Sequence, residues 1–409
     1  MTPRVTVIGV GPEGVEGLGP EARARLRAAD RVLGGARLLE QVPDRPPVRE
    51  VLPAGGLAEA VRALRDRPEG ERVVLLASGD PLFHGVGATL LDALPADDVE
   101  VLPAVTSLQA AFALARMPWH DASLASAHAR PAAQLVGLSR RHRRLGILTD
   151  PSRTPGRIAA LLLAAGVADC RAVVVEDIGG PEQAVTDATL ASLEGREFHR
   201  LNVLLVDQGP AWRPGPLGSS RPDAAYQHQA GLITKRDVRR LALDRLVLGE
   251  SDTAWDVGAG IGAMSIEMAE LAWRGRVFAV ERESARCRDI EANIARFGVP
   301  NVELVEGAAP EALGPLPTPD AAFIGGTGGS PTAVLEAVAA RAAPGCRVVA
   351  TFAVLEHMAA THAWLQAAGW APDLVEVSLA HGAPLGRGTR LVPATPVFIV
   401  SAVAPGLAP

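Results

Sequence analysis

The chain reads as an α/β protein in two parts: an N-terminal α/β domain followed by a C-terminal Rossmann-like domain. Three observations predict this. Short apolar, β-branched runs alternate with segments of helical spacing over most of the 409 residues. That alternation breaks once, in a stretch rich in proline, glycine and serine. Beyond the break, Asp256-Val-Gly-Ala-Gly-Ile-Gly262 closes one apolar run and opens an amphipathic segment, with Glu281 at the end of the next apolar run.

In the first half, Val5–Val10 is a strand and Pro20–Ala29 a helix that proline can open. Arg72–Ala77 and Val99–Leu102 are strands, with a helix over Gly85–Leu94 between them. Ser107–Arg116 is helical, Leu145–Thr149 a strand and Pro155–Ala165 a helix, followed by strands Ala172–Val175 and Asn202–Val206. A mostly parallel sheet is expected. Gly209–Pro222 carries no periodicity, so the domains are placed at 1–210 and 226–409, with residues 211–225 as linker. In the second half, helices are expected over Lys235–Leu246, Ala263–Leu271, Glu283–Phe297, Pro331–Ala342 and Glu356–Ala368. Strands are expected over Thr253–Val257, Arg276–Val280, Val302–Val305, Ala321–Ile324 and Arg347–Phe352. Leu374–Ser378 and Val397–Ala402 close the sheet.

Composition narrows the function. The chain is 48% hydrophobic and 21% charged, which suits folded cores. No apolar stretch approaches the roughly 20 residues that span a bilayer, and the N-terminus lacks a signal layout, so no membrane association is expected. A net charge of −6 and a single tyrosine argue against a nucleic-acid partner. Cys170, Cys287 and Cys346 show no metal or disulfide spacing, so no metal is assigned and a reducing cytoplasm is expected.

In the C-terminal domain, Asp256–Gly262, Ala279-Val-Glu281 and Glu306-Gly-Ala-Ala-Pro310 mark three strand ends, which a doubly wound sheet brings together at its carboxyl edge. Gly258, Gly260 and Gly262 let the backbone approach a ligand, and Glu281, with Arg282 beside it, is spaced to accept from ribose hydroxyls. Gly307, Ala308 and Ala309 would flank a base. Asp256 could instead cap the helix. NAD is the competing ligand, but an acid ahead of the first glycine and the missing pyrophosphate-oriented continuation favour S-adenosylmethionine. Thr234 adjoins Lys235, the only lysine in the chain, which is read as a candidate catalytic cation or a solvated helix start. Arg236, Arg239 and Arg240 form a cationic face suited to a polycarboxylate, or simply a solvated one.

In the N-terminal domain, Gly11 and Pro12 follow the first strand; Gly79, Asp80 and Phe83 belong to a second loop, and Thr106 and Ser107 to a third. Any one loop is an ordinary turn, but three at strand ends suggest a site clasping its ligand with backbone groups. His84 and His120 are more readily structural than catalytic.

Two resemblances follow from these residues. Gly231-Leu-Ile-Thr-Lys-Arg-Asp-Val238 with Trp255–Gly262, Ala308-Ala-Pro-Glu311 and Phe323-Ile-Gly-Gly326 is similar to the class I precorrin methyltransferases that act at ring carbon 15 and remove an acetate carboxyl. Val7–Gly14, Ala77–Gly85, Pro103–Leu108, Leu148–Pro155 and Val175–Gly180 resemble the tetrapyrrole methylases, in particular the branch acting at ring carbon 5. In that family the cofactor lies folded between two subdomains. Together the halves resemble a family of fused, bifunctional precorrin methyltransferases of cobalamin biosynthesis. The resemblance implies one S-adenosyl-L-methionine site per domain, a precorrin or cobalt-precorrin substrate, methylation at carbons 5 and 15, decarboxylation of the carbon-12 acetate, and a homo-oligomer. A class I RNA methyltransferase fused to a second S-adenosylmethionine-binding domain is the alternative.

Overall fold

A computed structural model describes residues 5–42, 48–52, 57–68, 70–83, 85–127, 131–214, 221–227, 233–326 and 329–406. Its contacts divide the chain into two units: Met1–Arg130 with His142–Ala160 and Ala168–Trp212, and Pro131–Arg141 with Leu161–Val167 and Arg213–Pro409. No helix among the described residues is long and apolar enough to cross a membrane.

The first unit opens with a parallel sheet. Strand β1 (Val5–Val10) is buried at every residue, as the middle of a sheet covered on both faces must be. Ile8 and Val10 face α1 (Pro20–Ala28) and α2 (Ala36–Leu39), which flank β2 (Arg31–Gly34). Val5 and Val7 face the other way, towards α3 (Leu57–Arg65) and α4 (Val86–Ala93). With β3 (Val48–Val51), β4 (Val73–Ser78) and β5 (Val99–Leu102) the strand order is β3-β2-β4-β1-β5. Helix α5 (Ser107–Leu114) leaves the end of β5 and packs Leu108, Ala111 and Phe112 on Val173, Val175, Val203 and Leu205 of a second sheet.

That second sheet differs from the parallel one expected. Its strands are β6 (Ala122–Ser126), β7 (Arg144–Leu148), β8 (Arg171–Glu176), β9 (Ala184–Thr189) and β10 (Asn202–Asp207). Helices α6 (Ala132–Arg141) and α7 (Pro155–Ala164) lie between the first of them in sequence. The order is β6-β7-β10-β8-β9, and only β6 and β7 pair in parallel. No α-helix lies between β8 and β10, so the chain returns by short connections, which allow antiparallel pairing.

In the second unit, α8 (Arg236–Leu246) precedes β11 (Thr253–Val257), α9 (Ala263–Leu271), β12 (Arg276–Glu281), α10 (Ser284–Phe297), β13 (Val302–Glu306) and β14 (Ala321–Ile324). Helix α11 (Pro331–Ala339), β15 (Arg347–Phe352), α12 (Leu355–Ala367) and β16 (Asp373–Val377) follow. Last come the hairpin β17 (Ala380–Leu385) and β18 (Gly388–Pro393), and β19 (Val397–Val403). The seven-stranded order β13-β12-β11-β14-β15-β19-β16 reverses direction at β11, the position where doubly wound sheets open a ligand crevice. Residues of β11 alternate, Ala254 towards the core of α8, α9 and α10 and Trp255 towards that of α11 and α12.

Helix α9 is not the amphipathic helix expected, because Ala263 through Glu270 are all buried. Its outward face is covered by the irregular segment around Arg221–Tyr226. Arg221 forms a two-pronged ion pair with Glu270 (2.7 and 2.6 Å), and the Tyr226 hydroxyl donates to Glu267 at 2.7 Å. Residues 221–225, assigned to the linker from composition, are thus anchored on a helix of the C-terminal sheet.

Candidate functional site

The N-terminal loops meet because their strands are neighbours. Gly79 donates its N–H to Val10 O at 2.8 Å, tying the β4 end to the β1 end. At Gly9 the loops press so closely that a Cβ would lie 2.6 Å from Gly79 O and 2.8 Å from Ala104 N. Gly79 itself has φ +68°, open to glycine with little strain. Asp80 accepts from Leu82 N at 2.8 Å and holds the loop turned. Thr106 caps α5 reciprocally: its hydroxyl accepts from Gln109 N (3.1 Å), and its own N–H donates to the Gln109 side chain (2.8 Å).

Gly11, Pro12, Gly79, Asp80, Phe83, Thr106 and Ser107 all line one cleft, partly open to solvent. Leu148 and Ile178, at the ends of β7 and β8, line it too, so the cleft lies between the two sheets of this unit. Arg37 and Val105 complete its rim and were not singled out from sequence. Arg37 has a signal, Gly34-Gly35 ahead of it, but the four residues of β2 are too few to show a strand pattern in sequence. His84 lies outside the described residues, and His120 is exposed and does not line the cleft.

The C-terminal strand ends are joined as the sequence implies. Gly258, Gly260 and Gly262 have φ of +72°, +60° and +79°, a region side chains disfavour. A Cβ on Gly258 would meet Gly326 O at 2.5 Å, because Gly325 N hydrogen-bonds Val257 O across the β11–β14 crevice. Gly325 and Gly326, the end of the Phe323–Gly326 motif, thereby join the site. Glu281, the last residue of β12, accepts from Gly260 N at 2.8 Å and from Arg282 N and Glu283 N at 2.9 and 3.0 Å. It is 4% exposed, and its backbone carbonyl accepts from Gly307 N at 2.9 Å. Ala308 and Ala309 continue that loop after β13.

Asp256 is fully buried. One carboxylate oxygen accepts from the Ser265 hydroxyl, and the other has no hydrogen-bond partner among the described residues. Burial pushes its pKa up to about 7, with the charge of Glu281 adding to the shift against the bond from Ser265. An unpaired buried carboxylate oxygen beside a glycine turn suits a cationic group such as the ammonium of S-adenosylmethionine, and Glu281 suits its ribose. The donor set therefore fits that cofactor.

The charges before β11 divide. Arg245, near the end of α8, bonds Asp373 at the start of β16 and Ser401 near the end of antiparallel β19. Both mark the amino edge of the sheet, so the start of α8 points to its carboxyl edge. Lys235, the N-cap of α8, is half exposed, with its Nζ 4.0 Å from Asp223. Arg236 and Arg240 are exposed as well, and the Thr234 carbonyl accepts from Arg239 at 2.7 Å. Arg239 does not fit the substrate-binding role expected of it. It is fully buried, and its guanidinium bonds Glu267 (2.8 Å), Asp223 (3.2 Å), Thr234 O and Arg221 O. It anchors the segment that leads to Lys235.

Residues 4–194 match the family described as Tetrapyrrole (Corrin/Porphyrin) Methylases, and residues 224–404 the family described as Precorrin methyltransferase domain. Fold, loops and both matches define a methyltransferase of two dissimilar domains. The chain is 37% identical over 411 residues to a precorrin-6Y C(5,15)-methyltransferase [decarboxylating] of Sinorhizobium sp, covering 97% of this chain and 95% of that one. It is 34% identical over 400 residues to the protein of that name from Mycobacterium tuberculosis, covering 96% and 98%. A cobalt-precorrin-6B C(15)-methyltransferase (decarboxylating) of Salmonella typhimurium is 36% identical over 170 residues, 41% of this chain and 88% of that one. The chain belongs to the precorrin-6Y C(5,15)-methyltransferase (decarboxylating) family.

Proposed function

We propose that this protein methylates a precorrin at ring carbons 5 and 15 and decarboxylates its carbon-12 acetate, as a step of cobalamin biosynthesis. The observation that carries the reading is the pair of glycine-built carboxyl-edge sites in one chain that aligns nearly end to end with relatives of that name. The N-terminal cleft is assigned to carbon 5, and the C-terminal edge to carbon 15 and the decarboxylation. Each holds one S-adenosylmethionine, which when bound supplies a methyl group activated by its sulfonium. The chain's part is chiefly positioning and exclusion of water. Glu281 orients the ribose, Asp256 the ammonium, and the glycine turns admit the backbone at contact distance. Lys235, Arg236 and Arg240 are placed to receive substrate carboxylates at the carboxyl edge.

The assembly we assign is a homo-oligomer. Strands β17 and β18 form a separate two-stranded sheet with Leu385, Leu391 and Val392 exposed, and such a ribbon is marginal unless something packs on it. The three cysteines are unpaired, which suits a reducing compartment, and we assign the cytoplasm.

Single-turnover mass spectrometry with S-adenosylmethionine and metal-free precorrin tests the reading. Gain of two methyl groups with loss of carbon dioxide is expected. A chain inactive on both the metal-free and the cobalt-bearing substrate overturns it.

A further inference from the structure

We propose that Arg37 is the carboxylate receiver of the N-terminal cleft, binding a peripheral acetate or propionate of the macrocycle and so setting substrate specificity at carbon 5. This rests on the assignment of that cleft to carbon-5 methylation.

Arg37 is the one cation among the described residues lining the cleft. Its side chain is exposed at the rim, and its one hydrogen bond among them is to the Ser78 hydroxyl, at a long 3.3 Å. A guanidinium carries five N–H donors in a fork that matches a carboxylate, so most of this fork is unspent. The single acid among the described residues lining the cleft, Asp80, forms no ion pair with it among them and is turned to the amide of Leu82.

The choice between two carboxylate sources, the cofactor's own and the substrate's, follows from sheet order. The glycine and hydroxyl loops come from β1, β4 and β5, three adjacent strands. Arg37 follows β2, which lies beyond β4, two strand positions or about 10 Å from β1. A cofactor centred on the three loops leaves Arg37 to one side. On the far side of the cleft, in the loop after β5, the rim is apolar at Val105, which is 53% exposed. An apolar rim residue with one cation on the other side suits a flat ring whose charges lie on its periphery.

The test uses the full-length chain carrying Arg37→Ala or Arg37→Lys. For Arg37→Ala, the KM for the macrocycle in carbon-5 methylation is expected to rise about 10- to 30-fold, the usual scale for one charge-assisted hydrogen bond. The kcat should stay within a factor of two or so, with Arg37→Lys recovering part of the loss. The rise of wild-type KM with salt should flatten in Arg37→Ala, an effect that loss of structure alone does not produce. Carbon-15 methylation with decarboxylation is the internal control of folding, and S-adenosylhomocysteine titration separates the two carboxylate sources. An unchanged KM overturns the proposal, as does a proportionate loss of S-adenosylhomocysteine affinity, which would give Arg37 to the cofactor. A wild-type chain that places no methyl on carbon 5 while still working at carbon 15 removes the underlying assignment first.

Discussion

At the C-terminal edge the candidate ligand groups are buried carboxylates, Glu281 bonded to neighbouring amides and Asp256 with one oxygen unpaired among the described residues; at the N-terminal edge they are backbone atoms of open loops. Glu281 is 4% exposed and ties Gly260, Arg282 and Glu283 together, and Asp256 is fully buried beside it. Among the described residues lining the N-terminal cleft there is no comparable buried acid; the one carboxylate there, Asp80, serves its own turn. On the proposed assignment of one cofactor to each domain, the contrast is between two ways of holding the same kind of ligand. One uses buried acids, with the pKa of Asp256 pushed up by burial, and the other uses loop shape and a helix cap. Disturbing shape should therefore silence either site, whereas disturbing charge should tell them apart.

The largest effect is expected from shape. In Gly258→Ala the new methyl would lie 2.5 Å from Gly326 O at a positive φ, and in Gly9→Ala it would lie 2.6 Å from Gly79 O. Each should lower methylation at its own carbon by on the order of 100-fold, the scale of an ångström-sized misplacement, and leave the other carbon untouched. Product mass analysis after one turnover reads both. Loss of both activities from either substitution would break the two-site division.

Next comes the charge that supports the C-terminal edge without touching ligand. Arg239→Ala leaves Glu267, itself fully buried, without its cation, and removing one member of such a pair typically costs about 3–5 kcal/mol. Arg240→Ala, on the exposed face of the same helix, should change stability by less than about 0.5 kcal/mol. Urea unfolding of the two variants checks this. Equal stabilities would mean that the segment at 221–227 is not held by Arg239.

These two arginines also show where sequence reasoning stops. Both stand in a cationic run, and helical spacing alone cannot tell which is buried, because the cover on α9 and Arg239 comes from an irregular segment with no periodicity. The glycine loops were legible because strand, glycine turn and helix leave a pattern in order, and the structure gathers the seven chosen N-terminal residues into one cleft. Arg37 was missed for the complementary reason: β2 has only four residues, too few to carry a strand pattern although Val32 to Gly34 are buried, and β3 beside it is exposed throughout. The antiparallel half of the second sheet was lost similarly, since β9 alternates between exposed and half-buried residues and carries Thr and Asp among its apolar ones.

Asp256→Asn probes the preset charge with a smaller expected effect. An acid whose folded pKa is raised to about 7, from about 3.9 unfolded, keeps its proton in the folded state over that interval. Its contribution to stability is then greatest below pH 4, falls as pH rises towards 7 and is flat above. Two other carboxyls act in the opposite direction at lower pH: Asp207 is held below the usual carboxylate range, against the penalty of burial, by the Gly209 amide and then by Arg144 and Arg143, and Glu100 is held there by Arg25. Asp256→Asn should therefore flatten the decline between pH 5 and 7 in the cofactor-free protein while weakening cofactor binding at the C-terminal site. Thermal melts across pH, with S-adenosylhomocysteine titrations at pH 8, check both. An undiminished decline would mean that Asp256 does not carry it.

The smallest expected effect, at the other edge, sharpens the comparison most. If the N-terminal cleft works through loop shape, Thr106 acts as a cap, bonding Gln109 in both directions and fixing where α5 begins. Thr106→Ala should then cost about 1 kcal/mol, and hydrogen exchange at the Gln109 amide should quicken about fivefold if opening is local. Carbon-15 chemistry should be unchanged and carbon-5 methylation reduced only slightly. A loss at carbon 5 as deep as that of Gly9→Ala, with no matching change in exchange, would show that the Thr106 hydroxyl works on the ligand itself. The N-terminal site would then depend on a side chain as the C-terminal one does, and the contrast between the two edges would narrow to the depth at which their polar groups are buried.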